Sequence, residues 1–358
     1  MSSAEAQQQF AEGSPRVIVA GATGFAGALA AHLLWRHAGF ELAGVTGRSE
    51  VGRRLDEVYP RYRVPLAIEQ LDLDAVAERS STEERLDAAV VAYPHAAAAP
   101  TVGALREAGV RVVDLSADFR LGSLAMYERW YGTHPRADLL ADAVYGLSEL
   151  HRERIAGARI VANPGCYPTA SVLALAPLAR AGLIADVVID AKQGISGAGR
   201  IFDETTHLSM AGENILPYKV AAHRHTPEIE EQLALLTPAG GPAPAELAVL
   251  FQAHLVPLDQ GELASCYVTP TRAVAEEELR ELFTEAYARE PFVEVVEKPP
   301  GTRDVLETNF CRLFAAADAH TGKLIVLSAI DNLWKGTSSQ AVQNLNLMFA
   351  KPETEGLL

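Results

Sequence analysis

The first half of the chain alternates short apolar runs with apolar stretches of helical length. Arg16-Val17-Ile18-Val19-Ala20 runs directly into Gly21-Ala22-Thr23-Gly24-Phe25-Ala26-Gly27, and residues 28–37 read as an apolar helix. The order recurs: strands are predicted over 40–45, 87–92 and 110–115, with a helix over 101–108. Successive strand–helix units of this kind imply a parallel, doubly wound sheet. A further apolar run, Arg159-Ile160-Val161-Ala162, precedes an Ala/Leu-rich stretch over 170–181 that reads as a buried helix.

Beyond it the pattern changes. A strand over 187–191 is followed by a helix over 226–236, with Thr226 as N-cap and Pro227 at its first position. Strands over 247–256 and 262–269 are joined across Asp259-Gln260-Gly261, and a helix covers 275–289. Strands follow over 292–297, 309–316 and 323–330, the last two joined near Thr321-Gly322, and a final helix covers 337–349. Hairpins with few helices indicate an α+β domain. The expected architecture is therefore α/β: a Rossmann-type doubly wound dinucleotide-binding domain, then an α+β domain. Residues 1–14 read as a mobile tail, 50–87 carry scattered charge without a clear period, and a long irregular segment runs from Arg200 to Lys219.

Composition narrows the function classes. At 358 residues the chain has room for two domains and a sizeable core. It lacks any apolar run of the roughly 18 residues a membrane span needs, and its start has neither basic nor apolar signal-peptide character. Three scattered cysteines argue against a disulfide framework and for a reducing compartment. A net charge of −15 disfavours nucleic acid but leaves room for a small anion held by a local basic cluster.

Four stretches carry chemistry. The Gly21 to Gly27 turn, between a strand and a helix, suits a pyrophosphate at a helix N-terminus. The next strand ends in Thr46-Gly47-Arg48-Ser49 rather than in the acidic residue that binds ribose hydroxyls, so a 2′-phosphate and hence NADP is favoured. Asn163-Pro164-Gly165-Cys166-Tyr167-Pro168-Thr169 puts Cys166 where a strand ends and a helix begins. There the helix dipole is expected to lower a thiol pKa and yield a thiolate nucleophile. His223-Arg224-His225-Thr226-Pro227-Glu228 offers an imidazole acid/base, with Glu228 near enough to orient one ring. Two further segments are candidate anion sites: Arg120 after the strand over 110–115, against an Arg120–Asp118 surface pair, and the loop Lys192-Gln193-Gly194-Ile195-Ser196-Gly197-Ala198-Gly199-Arg200. No zinc-ligand spacing accompanies the histidines, so no metal is expected. Cys266 and Cys311 fall inside strands and read as core.

Taken in order, six stretches resemble the N-acetyl-γ-glutamyl-phosphate reductases of arginine biosynthesis, relatives of the aspartate-semialdehyde dehydrogenases. They are Gly21 to Gly27, Asp114 to Arg120, Asn163 to Thr169, Ser196 to Arg200, His223 to Ile229 and Asp331 to Gly336. The resemblance implies NADPH-dependent reduction of an acyl phosphate to N-acetylglutamate semialdehyde and phosphate, through a thioester on Cys166. It implies His223 or His225 as proton carrier with Glu228 behind it. Substrate binding would fall to Arg120, Asn163, Lys192, Ser196 and Arg200. Cofactor binding would fall to Gly21, Thr23, Gly24, Phe25, Gly27, Arg48, Ser49, Pro94, Gly197 and Asn332. It also implies a final helix returning to the first domain, a cytoplasmic homo-oligomer, and domains over 15–165 with 331–358 and over 166–330. A sister group acting on carrier-linked substrates lacks the Asn-Pro and has a different loop at 196–200. This chain keeps both, which favours the free acetylated substrate, while Gln193 stands where a small residue is more usual.

Overall fold

The computed structural model describes residues 8–200, 206–239 and 247–358. The chain forms two compact units, one of residues up to Pro164 together with Thr337–Leu358, the other Gly165–Gly336.

The first unit holds a seven-stranded, wholly parallel sheet. Its strands are β1 (Arg16–Ala20), β2 (Glu41–Thr46), β3 (Ile68–Glu69), β4 (Ala88–Val91), β5 (Arg111–Asp114), β6 (Ala143–Tyr145) and β7 (Ile160–Ala162), in the order β3-β2-β1-β4-β5-β7-β6. Central strands with both faces covered need no alternation, and β4 is buried at every position. Ile18, Ala20, Val91, Val112 and Ile160 pack with Val102 and Leu105 of the helix Ala99–Glu107 into one core cluster. The last segment returns to this unit: Asn344, in the helix Ser339–Met348, donates to Asn163 Oδ1 at 3.1 Å and to the Gly146 carbonyl at 2.9 Å. That helix begins later than the sequence pattern suggests, because Trp334–Ser338 forms a π-turn first.

The second unit also carries seven strands, here mixed: β8 (Ile184–Gly194), β9 (Leu216–Tyr218), β10 (Val249–Val256), β11 (Glu262–Pro270), β12 (Val293–Val295), β13 (Cys311–Ala317) and β14 (Leu324–Ile330). The order is β12-β13-β14-β11-β8-β10-β9. β13 and β14 form the expected hairpin. β10 and β11 do not: β8 lies between them, parallel to β10 and antiparallel to β11. A short polar connection is compatible with either arrangement, and the long β8, eleven residues, takes the central place.

Against this sheet lies the helix Cys166–Arg180, buried from Tyr167 to Ala179. Pro177 sits inside it and cannot donate to the Leu173 carbonyl, which accepts the Tyr287 hydroxyl instead. The predicted tail is anchored from its eighth residue. Gln8 Nε2 donates to the Leu34 and Phe40 carbonyls at 3.0 and 2.9 Å, and its Oε1 accepts from Leu42 N–H at 2.9 Å. Residues 1–7 lie outside the described residues, as do 201–205 of the irregular segment.

Candidate active site

In the first unit the glycine turn joins β1 to the helix Phe25–Trp35. Gly21 has φ +94°, and a Cβ there would lie 2.5 Å from the Ala92 carbonyl oxygen. One on Gly27 would lie 2.2 Å from the Gly21 oxygen. These two positions demand glycine, and they bring the backbone of the turn close to the end of β4. Gly24 caps the helix without a side chain, so its first amides face outward for an anion. The site lies where the strand order reverses, between β1 and β4, at the carboxyl ends of the strands. Thr23 accepts from Ser49 Oγ at 3.3 Å, Phe25 meets Tyr59 edge-on, and the exposed Arg48 guanidinium lies 4.9 Å from the Tyr93 ring beside Pro94. Of the expected cofactor residues, Gly21, Thr23, Gly24, Phe25, Gly27, Arg48, Ser49 and Pro94 thus fall in one region. A glycine cradle with a cation and two hydroxyls at its rim fits a phosphorylated dinucleotide.

Arg120 is placed differently from either expectation. Its guanidinium donates to the Asn163 and Leu115 carbonyls, both at 2.8 Å, and it is 9% exposed. Asp118 is not its partner: it accepts from the Ala96 and Ala99 amides and from the Tyr127 hydroxyl. Asn163 is likewise engaged, donating to the Thr337 carbonyl at 3.1 Å. Both side chains shape the turn that leads to the cysteine.

In the second unit Cys166 is the first residue of its helix, with Gly165 as N-cap and no side-chain cap. Gln193 Nε2 donates to Cys166 Sγ at 3.0 Å. Gly336 leaves room for Cys166, since a Cβ there would come within 2.8 Å of Cys166 Cβ. The expected low thiol pKa is not found. Burial, and then the charge of Glu262, push the Cys166 thiol well above its ordinary value, against the opposing pull of the Tyr167 N–H and the Gln193 amide. Glu262 is the residue that sequence reading passed over. Its signal was present: it alternates with Ala264, Cys266 and Val268, all inward-facing and buried, so an acid occupies a core position.

Glu228 Oε1 accepts from Gly165 N–H at 2.9 Å and so steadies the turn carrying the cysteine. His223 Nδ1 accepts from His225 N–H at 3.1 Å, which leaves the ring proton on Nε2. Burial lowers its pKa to about 3, and Lys219 adds to this, so the imidazole is neutral. Both histidines pack edge-on against Tyr167, at centroid distances of 5.5 and 5.8 Å.

The remaining site residues divide. Lys192 pairs with Asp190, which also meets His254 Nδ1 at 3.1 Å. Ser196 Oγ donates to the Asp259 carbonyl at 2.6 Å and accepts from Asn332 Nδ2 at 3.0 Å, while Asn332 Oδ1 accepts from Gly261 N–H at 2.8 Å. Asn332 is thus a staple between two loops of its own unit. Gly197 lies under the Gln193 amide, and Arg200 is exposed.

Known proteins bear the same two-part plan. The family model described as semialdehyde dehydrogenase, NAD binding domain, matches residues 16–158, and the one described as semialdehyde dehydrogenase, dimerisation domain, matches 166–332. Fold and site thus have the make-up of an oxidoreductase of the semialdehyde dehydrogenase class. The N-acetyl-gamma-glutamyl-phosphate reductase of Desulforudis audaxviator is 47% identical over 352 residues, which are 96% of this chain and 98% of that one. That of Moorella thermoacetica is 45% identical over 348 residues, 95% and 96% of the two chains. The chain belongs to the N-acetyl-gamma-glutamyl-phosphate reductase family. Among solved structures, aspartate semialdehyde dehydrogenase II of Vibrio cholerae, complexed with ASA, superposes with a TM-score of 0.70 at 18% identity, covering 94% of this chain and 98% of that one. The Candida albicans aspartate semialdehyde dehydrogenase with NADP gives 0.66 at 16%, covering 94% and 99%. At such identities the likeness is one of fold.

Proposed function

We propose that this chain reduces N-acetyl-L-glutamyl 5-phosphate to N-acetyl-L-glutamate 5-semialdehyde and phosphate with NADPH, a step of arginine biosynthesis, through a thioester on Cys166. The observation that carries the reading is Cys166 at a helix N-terminus with the Gln193 amide donating to its sulfur. The Cys166 thiolate attacks the acyl carbon and phosphate leaves, giving the thioester. NADPH, when bound at the glycine turn, supplies hydride to that thioester. The resulting thiohemiacetal on Cys166 loses its hydroxyl proton and collapses, and the aldehyde departs. His223, with its Nε2–H free of the backbone contact that fixes Nδ1, is the ring suited to guide that proton, as a neutral donor and acceptor rather than an imidazolium.

Gly21, Gly24 and Gly27 admit the pyrophosphate, Thr23, Phe25 and Pro94 line its turn, and Arg48 with Ser49 answers the 2′-phosphate. Lys192 and Arg200 supply positive charge for the substrate's anionic groups. Arg120, Asn163, Ser196, Gly197 and Asn332 act by holding the surrounding backbone in shape. On this reading the protein works in the cytoplasm as a homo-oligomer, dimer or tetramer, without nucleic acid or membrane.

The reverse reaction tests the reading. With N-acetylglutamate semialdehyde, phosphate and NADP⁺, wild type forms NADPH, and Cys166→Ser loses on the order of 10⁴ or more in rate. Equal activity in Cys166→Ser, or a preference for aspartate semialdehyde, contradicts it.

A further inference from the structure

Arg48 is a cation without a carboxylate partner. It enters none of the ion pairs or side-chain hydrogen bonds among the described residues, in a chain whose net charge is −15. The acid two positions on, Glu50, pairs with Arg53 at 2.7 Å. What Arg48 does meet is the ring of Tyr93, with 4.9 Å from the guanidinium carbon to the ring centroid. That is the separation of a cation attracted to an aromatic face. The two residues come from either side of β1, since Arg48 follows β2 and Tyr93 follows β4. Close packing brings both against the glycine turn. A Cβ on Gly47 would come within 2.8 Å of Thr23 Cγ2, and one on Gly21 within 3.1 Å of Tyr93 Cδ1. Backbone bonds fix the frame: Gly21 and Ala22 N–H both donate to the Thr46 carbonyl at 2.9 Å, and Ala92 N–H donates to the Ala20 carbonyl at 2.7 Å.

We propose that Tyr93 is a positioning residue for Arg48, and that this pair, rather than Arg48 alone, sets the preference for NADP over NAD. The inference rests on the reading that Arg48 answers the 2′-phosphate. A guanidinium recognises phosphate through its planar fork of N–H groups, so its orientation matters as much as its charge. A solvent-exposed Arg samples many rotamers, and ordering it when the ligand arrives costs affinity. A ring that holds the guanidinium beforehand removes part of that cost.

Three features support the assignment. The Tyr93 ring is itself steadied, because it packs against the core cluster of the first sheet as well as on Gly21. Its hydroxyl makes no hydrogen bond among the described residues, so the aromatic face is what position 93 contributes to Arg48. Contact with that face engages none of the guanidinium N–H groups in a carboxylate or carbonyl bond, and they stay available to a phosphate. Ser49, the next residue, ties the same turn to the glycine loop through Thr23 Oγ1 at 3.3 Å. A ribose that lacks the 2′-phosphate brings no charge to the pair. NADH therefore gains little from Tyr93, whereas NADPH gains the prepaid ordering of Arg48.

Fluorescence titration with NADPH and with NADH, over a double-mutant cycle at positions 48 and 93, tests this without any turnover. Arg48→Gln should raise the Kd for NADPH at least about tenfold, the loss of a charged phosphate contact. Tyr93→Leu should raise it about fivefold, the worth of a cation over a ring, while the Kd for NADH moves less than about twofold. Tyr93→Phe keeps the ring and should bind NADPH as wild type does. In the Arg48→Gln background, Tyr93→Leu should cost nothing further. Should Tyr93→Leu not fold, Tyr93→Met takes its place in the same cycle. A position-93 variant without the ring that binds NADPH as tightly as wild type overturns the proposal. So does one that weakens NADPH and NADH alike, or one that costs as much in the Arg48→Gln background; these leave the 2′-phosphate reading intact. Full NADPH affinity in Arg48→Gln would instead overturn that reading, and the proposal with it.

Discussion

Two influences on Cys166 oppose each other, and their sizes decide the outcome. A helix N-terminus contributes about 0.3–2 kcal/mol toward an anion, which is at most about 1.5 pKa units. Burial can shift a group by about 3–5 units. The thiol is therefore raised in spite of the dipole. The Cys166 position was legible because two prolines and a glycine around it mark a sharp turn. Its protonation was not legible, because Glu262 comes from a strand 96 positions further on. The contact of Glu228 with Gly165 N–H was not legible for a related reason, since 63 positions separate the two in the chain. Stability follows with a definite sign. The Glu262 carboxyl titrates near 4.5 when unperturbed and at about 8 in the fold, so between these values the native state holds the extra proton. Its contribution is full below about 4.5 and lost as pH rises through about 8. Urea unfolding of Glu262→Gln against wild type should show an advantage for the variant that widens from pH 6 to pH 9, reaching about 1–3 kcal/mol. Parallel pH curves for the two proteins would contradict this.

At the level of elements, the parallel strands were readable because burial on both faces leaves runs such as Ala88–Val91 wholly apolar. The stretch from 121 to 156 was not. The helix Leu124–Tyr131 buries only Tyr127, and Ser148–Ala156 buries Ser148, Glu149 and Ile155, so neither shows a clear apolar stripe. The misassigned hairpin has a topological cause: side-chain alternation tells which face of a strand is inside and says nothing about its neighbour. The glycine turn yields a sharper expectation. Gly27→Ala must displace either the helix Phe25–Trp35 or the Gly21 carbonyl. NADPH titration by fluorescence should show Kd raised at least tenfold, or about 1.4 kcal/mol. Binding as tight as wild type would mean that the turn does not cradle the cofactor. In the long helix, Tyr287→Phe leaves the Leu173 carbonyl without its hydroxyl donor, beside Pro177 which cannot replace it. Denaturant unfolding should register a loss of about 1–3 kcal/mol, and no loss would mean that the carbonyl finds another donor.

The whole molecule divides at Pro164 and Gly165 on the outward path and at Gly336 and Thr337 on the return. One crossing directly precedes Cys166 in the chain, and the other follows Gly336, whose missing side chain makes room for Cys166 Cβ. Cys166 and the glycine turn thus belong to different units, as the matched family models also divide. The second sheet presents a face that the long helix does not cover, with Leu250 60% and Tyr267 38% exposed. A second copy on that face would leave a particle of at least twice 38.3 kDa by light scattering. Leu250→Glu with Tyr267→Glu should shift it toward the single-chain mass, and an unchanged mass would place the interface elsewhere. The central claim, a thioester on Cys166 that phosphate resolves, has its most direct test in leaving phosphate out. Mixed rapidly with N-acetylglutamate semialdehyde and NADP⁺ alone, the wild-type protein should form about one NADPH per chain and stop. Mass spectrometry should then find the acyl group on Cys166, and added phosphate should restart turnover. Steady NADPH formation without phosphate, or a burst that leaves Cys166 unmodified, would contradict the account.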